Sequence, residues 1–497
     1  MISKSNPRQI SIDDYMANFE QKLDASNHWV RLAKQIPWDA FREIYNKTLK
    51  KYDGRPAKEA RLVIGAMIIK SKKGLADEDV IPEIQENPYL QYFVGLKAFT
   101  TKPIFDPSLF VTLRKRLGKK AFEELNAAFL TEVKQIEKTD KKQPTSKSKP
   151  KESKEKKDPP THQGELIIDA VVAPQDIKFP TDLDLLNDAR EHTERLIDQL
   201  WEAAPGKRKP RTYRNLARRD YLNAIKKKRK STKVLRKALR HQLGYVRRNI
   251  ATIKQLLEPC KKGPLPFDKQ DLRLFWVIQE VYDQQKTMFD KREHSHPDRI
   301  VSLCQPYIRP IVRGKAGKDT EFGAKLSCSL VGKYVYLDHL DWNAFNESQD
   351  LLTQVEKYKE RFGFYPERVL VDQIYGTREN RGKLKELGIR YCGKPLGRPP
   401  KLTAAEKRAF QRELAIRSRI EGKFGEGKRK YQLDCVKTKT RETSESWIAM
   451  AFFVMNLSAW MRADIFAFIF RVLKYRIQWM IEIFKEHNAN EKTLAVA

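Results

Sequence analysis

The chain is poor in cysteine. Cys260, Cys304, Cys328, Cys392 and Cys435 are scattered, odd in number and form no C-x-x-C pair. That excludes a disulfide framework and a zinc ribbon, and it suits reduced thiols in a cytosolic protein. Long apolar runs are also missing. The longest uncharged stretch, Trp447 to Met461, is short of the roughly 20 residues that span a bilayer. Arg462 and Asp464 follow it, so it reads as a buried core helix. The opening "MISKSNPRQISIDDYM" has no apolar signal-peptide core. The phosphate-cradling motif G-x-x-x-x-G-K-[ST] is absent, which argues against nucleotide hydrolysis of that kind. Acids are in deficit, 64 Asp and Glu against 98 Lys and Arg, a net charge of +34. Such a field concentrates polyanions. Nucleic acid is the leading partner and an anionic membrane surface the weaker one.

What is present divides into sections. Residues 1–135 read as helical, with "HWVRLAKQIPWDAF" in helical spacing and "AKEARLVIGAMIIKSKKG" closed by Gly74. "DPSLFVTLRKRLG" opens on a capping cluster, ends at Gly118 and carries Arg114, Lys115 and Arg116. Short helices with a basic one near the end suit a helix-turn-helix DNA reader or a plain helical bundle. Residues 136–163, centred on "KKQPTSKSKPKESKEKKDPP", lack apolar residues at their heart and read as a disordered basic linker. "ELIIDAVVAP" then reads as a buried strand. Residues 183–292 carry long helical patterns dense in Lys and Arg, and strand-like segments return with "RIVSLCQPYIRPIVRG", "EFGAKLSCSLVGKYVYLD" and "RVLVDQIYG". The simplest topology is an α/β domain, residues 164–182 and 293–462, interrupted by a basic helical insertion and preceded by an all-α domain. The aromatic-rich residues 463–497 read as a C-terminal helix for core or dimer packing.

Two strand-like runs end in an acid, Asp169 in "LIIDA" and Asp372 in "VLVDQ". Aspartate at a strand end is also a common turn opener. A third acid, Glu421, stands in "RSRIEGKFGEGK", where helical geometry brings Arg417, Glu421 and Lys428 close to one face. Three carboxylates brought together repel unless they hold divalent cations, and Mg²⁺ takes oxygen ligands of this type. Two such ions about 4 Å apart clamp the oxygens of an in-line phosphoryl transfer. Glu426 competes for the third place, but Gly425 and Gly427 flank it, where a helix is expected to be weak.

In their order, these motifs resemble the DDE transposases of bacterial insertion sequences. "GRPAKEARLVIGAMIIK" and "QENPYLQYFVGL" are similar to that group's N-terminal helical domain, and "RGKAGKDTEFGAK" to its middle strands. "IIDAVVAP", "VDQIYGTRENRGKLKELGI" and "RSRIEGKFGEGK" resemble its first, second and third acidic motifs. In the third motif Arg, three residues, Glu, six residues and Lys recur, matched by Arg417, Glu421 and Lys428. The Tyr that usually stands three positions before the Arg is Leu414 here, a departure that bears on a DNA contact and not on the metal chemistry.

The resemblance implies a ribonuclease-H-like mixed-sheet catalytic domain. Asp169, Asp372 and Glu421 would be both catalytic residues and ligands of two Mg²⁺ (or Mn²⁺) ions. Arg417 and Lys428 would face DNA. Arg398 and Lys401, in the basic loop "PLGRPPKLT", and Arg114 and Arg116 are further expected DNA contacts. The activity implied is metal-dependent cutting at terminal inverted repeats and joining to target DNA. A homodimer or higher oligomer, in the cytoplasm and associated with the nucleoid, with no membrane partner, goes with it. A DNA-binding protein without catalysis and a structure-selective nuclease of the same fold are the alternatives. "HSHPD", with His294 and His296, has no further Cys or His at ligand spacing and reads as a turn.

Overall fold

A computed structural model describes residues 23–49, 56–140, 161–203, 208–229, 231–258, 266–315, 318–397 and 403–463. Six helices lead: α1 His28–Gln35, α2 Trp38–Lys47, α3 Ala60–Lys73, α4 Asp77–Glu86, α5 Pro88–Phe93 and α6 Leu109–Asp140. Their ends follow local chemistry. The Asn27 side chain accepts from the Trp29 amide to cap α1. Gly74 closes α3 at φ 70°, a left-handed conformation that suits glycine. Gly118 breaks α6 at φ 62°, at the position where the sequence places a helix end.

The sheet has six strands: β1 Glu165–Pro174, β2 Arg309–Lys315, β3 Lys318–Val331, β4 Tyr334–Asp341, β5 Arg368–Leu370 and β6 Arg390–Cys392. Its main run is β4-β3-β1-β5-β6. β3 is antiparallel to both β1 and β4, whereas β1, β5 and β6 run parallel. β2 pairs with the first part of β3. Both faces of the sheet are covered, so β1 is apolar on both sides and Asp169 interrupts it. One face packs under α11 Leu351–Phe362 and α12 Arg378–Glu386, around Leu166, Ile168, Val355 and Leu384.

The other face continues into the N-terminal helices. Ile167, Val171 and Leu326 share an apolar cluster with Phe41, Phe129 and the buried helix α14, residues 441–463. The Phe41 and Phe453 rings lie 5.7 Å apart, and Phe129 and Trp460 5.8 Å. The N-terminal helices and the sheet therefore share a core, a join that the sequence divisions at residue 135 and residue 164 do not express. The stretch Trp447 to Met461 is the inner layer of that join.

Four helices lie between β1 and β2: α7 Asp182–Ala203, α8 Arg214–Ile225, α9 Thr232–Leu257 and α10 Lys269–Lys291. They hold their own apolar cluster around Leu186, Ile197, Val246 and Ile278. The linker expected over 136–163 is narrower than the composition suggests. Residues 136–140 complete α6, and His162 bridges to Tyr365. Residues 141–160, and 464–497 of the expected C-terminal helix, lie outside the described residues. Cys304, Cys328, Cys392 and Cys435 are free thiols, in keeping with the absence of a disulfide frame; Cys260 lies outside the described residues.

Candidate active site

The last β1–β5 pair is Ile167 with Leu370. Two residues further along each strand stand Asp169 and Asp372. Neighbouring strands are about 4.8 Å apart, so the two acids start from adjacent stretches of backbone. β1 continues along β3, with Asp169 opposite Cys328. β5 stops, and Asp372 caps the short 3₁₀ turn Gln373–Tyr375, accepting from the Gln373 amide at 2.7 Å. Asp372 is therefore exposed, while Asp169 is half-buried.

Asp169 is held in an unfavourable setting for its charge. Burial pushes its carboxyl up from 3.8 to about 6, and Glu347 and Asp372 push in the same direction. The Ala170 amide, which donates to Asp169 Oδ1 at 2.8 Å, and Arg417 pull it back in part.

Arg417 and Glu421 come from α13, Ala404–Lys430, which packs against β1 and β5. Thr403 and Glu406 form a capping box that starts this helix. Arg417 Nη1 lies 3.8 Å from Asp169 Oδ2, and Nη2 donates to Glu421 Oε1 at 2.8 Å. One guanidinium thus bridges the acid of β1 and the acid of α13. Among the described residues, no three His, Cys, Asp or Glu side chains converge closely enough to hold a metal ion. The expected three-acid cluster is open in this structure, with Arg417 between two of its members.

The structure separates the two glutamates of α13. Glu426 pairs with Lys423 at 3.0 Å and with Arg462 of α14 at 2.7 Å. Burial raises its carboxyl, but these two cations outweigh burial and hold it below the usual range. The expectation of a weak helix around Glu426 is corrected, because α13 runs through Gly425 and Gly427 to Lys430. A Cβ on Gly427 would lie 2.9 Å from Leu433 Cδ1 and 3.2 Å from Met455 Sδ. Glycine there answers a close approach, and tertiary packing outweighs its low helix propensity.

Of the expected DNA contacts, Lys428 lies 3.5 Å from Glu321 of β3. Arg398 and Lys401 lie outside the described residues. Arg114 requires a correction. It is 5% exposed and grips Asp77 through two nitrogens, at 2.8 and 2.5 Å. Lys70 joins the same carboxylate at 3.3 Å. Arg114 is part of the N-terminal core, and its helix presents other residues to solvent. Arg116 is half-buried and bonds to the hydroxyl of Tyr45. Two residues near the acids escaped the sequence reading, Glu347 and Tyr375. Glu347 stands in "NESQD", where an acid reads as a helix-capping residue, and only the tertiary fold brings it toward Asp169.

Comparison with known proteins now has a site to attach to. Residues 369–458 match the family model of the "Transposase DDE domain", and residues 17–116 match the "Transposase domain (DUF772)". A relative from Rhizobium meliloti, the "Uncharacterized protein ORF8 in nfe locus", is 33% identical over 168 residues, which are 33% of this chain and 72% of the relative. The chain belongs to the DDE transposase family. No solved structure matches it.

The DDE match takes in Asp372, Arg417, Glu421 and Lys428, whereas Asp169 precedes it. DDE transposases are in general DNA-cutting enzymes that use divalent metal ions. The donor chemistry at this transposase's site fits such an ion. Its carboxylates are hard oxygen donors on adjacent strands, and Asp169 carries a charge that burial disfavours and a cation would stabilise.

Proposed function

We propose that this transposase binds the terminal inverted repeats of an insertion sequence, cuts the DNA there and joins the ends to target DNA. The observation that carries the reading is the meeting of Asp169, Asp372 and the Arg417–Glu421 helix beside the point where β5 ends. A ribonuclease-H-like catalytic body, residues 164–182 and 293–462, is supported by the strand order, three antiparallel strands followed by two parallel ones. The helices of 183–292 would be its basic insertion and residues 1–135 the N-terminal DNA-binding part.

In this reading Asp169, Asp372 and Glu421 hold two Mg²⁺ or Mn²⁺ ions. When bound, such ions supply Lewis acidity and an activated water for in-line displacement at a phosphodiester. Arg417 neutralises Asp169 and Glu421 in their absence, and a DNA phosphate offers it an acceptor of the same charge. Lys428, Arg116, Arg398 and Lys401 are the proposed phosphate contacts, and Arg114 is withdrawn from that set. Two element ends call for at least a homodimer in the DNA complex, in the cytoplasm at the nucleoid. Among the described residues no helix is long and apolar enough to cross a membrane. The test is a strand-transfer assay with oligonucleotides carrying the element's ends. Joined product that requires Mg²⁺ or Mn²⁺ is expected. Binding without cleavage under any divalent cation would contradict the reading.

A further inference from the structure

Glu347 opens the 3₁₀ turn Glu347–Gln349, between β4 and α11. This turn packs against the one that Asp372 caps. The buried Asn380 side chain clamps the two together, donating to Ser348 O at 2.8 Å and to Tyr375 O at 3.0 Å. The sequence thus spends a buried amide on holding two acid-bearing turns side by side, next to the strand that carries Asp169. The charge of Glu347 bears on Asp169 and on the Tyr375 hydroxyl.

A second observation points into the same place. Tyr375 and Ser327 are both fully buried, and neither hydroxyl finds a partner beyond the other. At least one hydroxyl proton is therefore left without an acceptor, although buried polar groups are normally satisfied. An oxygen-rich ligand between the acids would supply one. Glu347 is held for the present by Lys325, at 2.9 Å, as Glu421 is held by Arg417.

We propose that Glu347 is a fourth carboxylate of the cation site, binding a divalent ion together with Asp169 and Asp372 after exchanging its contact with Lys325. This rests on the reading of Asp169 and Asp372 as cation ligands. The chemistry required is that of a hard divalent cation with oxygen ligands.

The experiment is Mn²⁺ binding to the full chain without DNA, followed by electron paramagnetic resonance, in the wild type and in Asp169→Asn, Glu347→Gln and Lys325→Met. The proposal expects affinity to fall roughly tenfold or more in both acid variants, on the scale of losing one well-placed group at a metal site. Lys325→Met removes the competing ammonium and leaves Glu347 in place, so Mn²⁺ should bind several-fold more tightly. That variant also keeps the proposal open to refutation where Glu347→Gln fails to fold. Weakening in Asp169→Asn alone, with Glu347→Gln binding like the wild type, would reduce Glu347 to a structural ion pair. So would an unchanged affinity in Lys325→Met. Wild-type affinity in Asp169→Asn would overturn the reading of the acid pair itself, and the shared site with it.

Discussion

The guanidinium of Arg417 lies 3.8 Å from the carboxylate of Asp169 while its other nitrogen holds Glu421 at 2.8 Å. An arginine in that position lets acids from a strand and a helix stay near one another without a metal. Arg417 and Asp169 are both largely shielded from solvent, so the bridge matters more than a surface pair would.

Replacing Arg417 by Met removes the bridge and keeps most of the side-chain volume. The metal-free protein should lose about 1–3 kcal/mol, the usual scale for a hydrogen bond to a charged group. Chemical denaturation with and without Mg²⁺ checks this. The loss should shrink when Mg²⁺ is present, because a cation takes over the neutralisation of Asp169. An equal loss in both conditions would mean that the bridge and the cation act at different places.

The raised carboxyl of Asp169 makes stability depend on pH. Its folded value is about 6 against an ordinary 3.8, so the folded state binds the extra proton between those values. The contribution of the protonated acid is fully present below about pH 4 and is lost as pH rises through 6. Asp169→Asn should match the wild type near pH 4 and exceed it by roughly 2–3 kcal/mol above pH 7 in the absence of metal, as a shift of about two pK units implies. Unfolding curves across that range decide it. A variant that is less stable at neutral pH would show that the ionised carboxylate is favoured.

Arg114→Ala should behave as a core mutation. It strands Asp77 with only Lys70 for company, and breaking a buried pair commonly costs about 3–5 kcal/mol. The folded fraction should still bind element ends with wild-type affinity. A large loss of affinity with unchanged stability would restore Arg114 to the DNA interface.

Several features of this molecule are legible from short stretches of sequence. The apolar run around Asp169, the helix ends at Gly74 and Gly118, and the helical stretch between β1 and β2 all depend on neighbours in the chain. Other features need the fold. Arg114 looks like one more basic residue until Asp77, from another helix, closes on it. Gly427 weakens a helix on propensity alone, yet Leu433 and Met455 require its missing side chain. Glu347 reads as a capping residue until Asn380 ties its turn to that of Tyr375. The shared core of Phe41, Phe129 and Phe453 joins residues from both ends of the chain, and no local pattern announces it.

The choice between the two glutamates of α13 is the central claim, and strand transfer tests it most directly. Glu421 is bridged toward Asp169 through Arg417, whereas Glu426 is tied to Lys423 and Arg462. Glu421→Gln keeps the side chain's size and removes the charge that would hold a metal. It should abolish joining of element ends, while DNA binding, carried largely by phosphate contacts, persists. Glu426→Gln should retain joining and lose some stability, because it loosens the contact between α13 and α14. Joining by the Glu421 variant at the wild-type rate, with a dead Glu426 variant, would contradict the account.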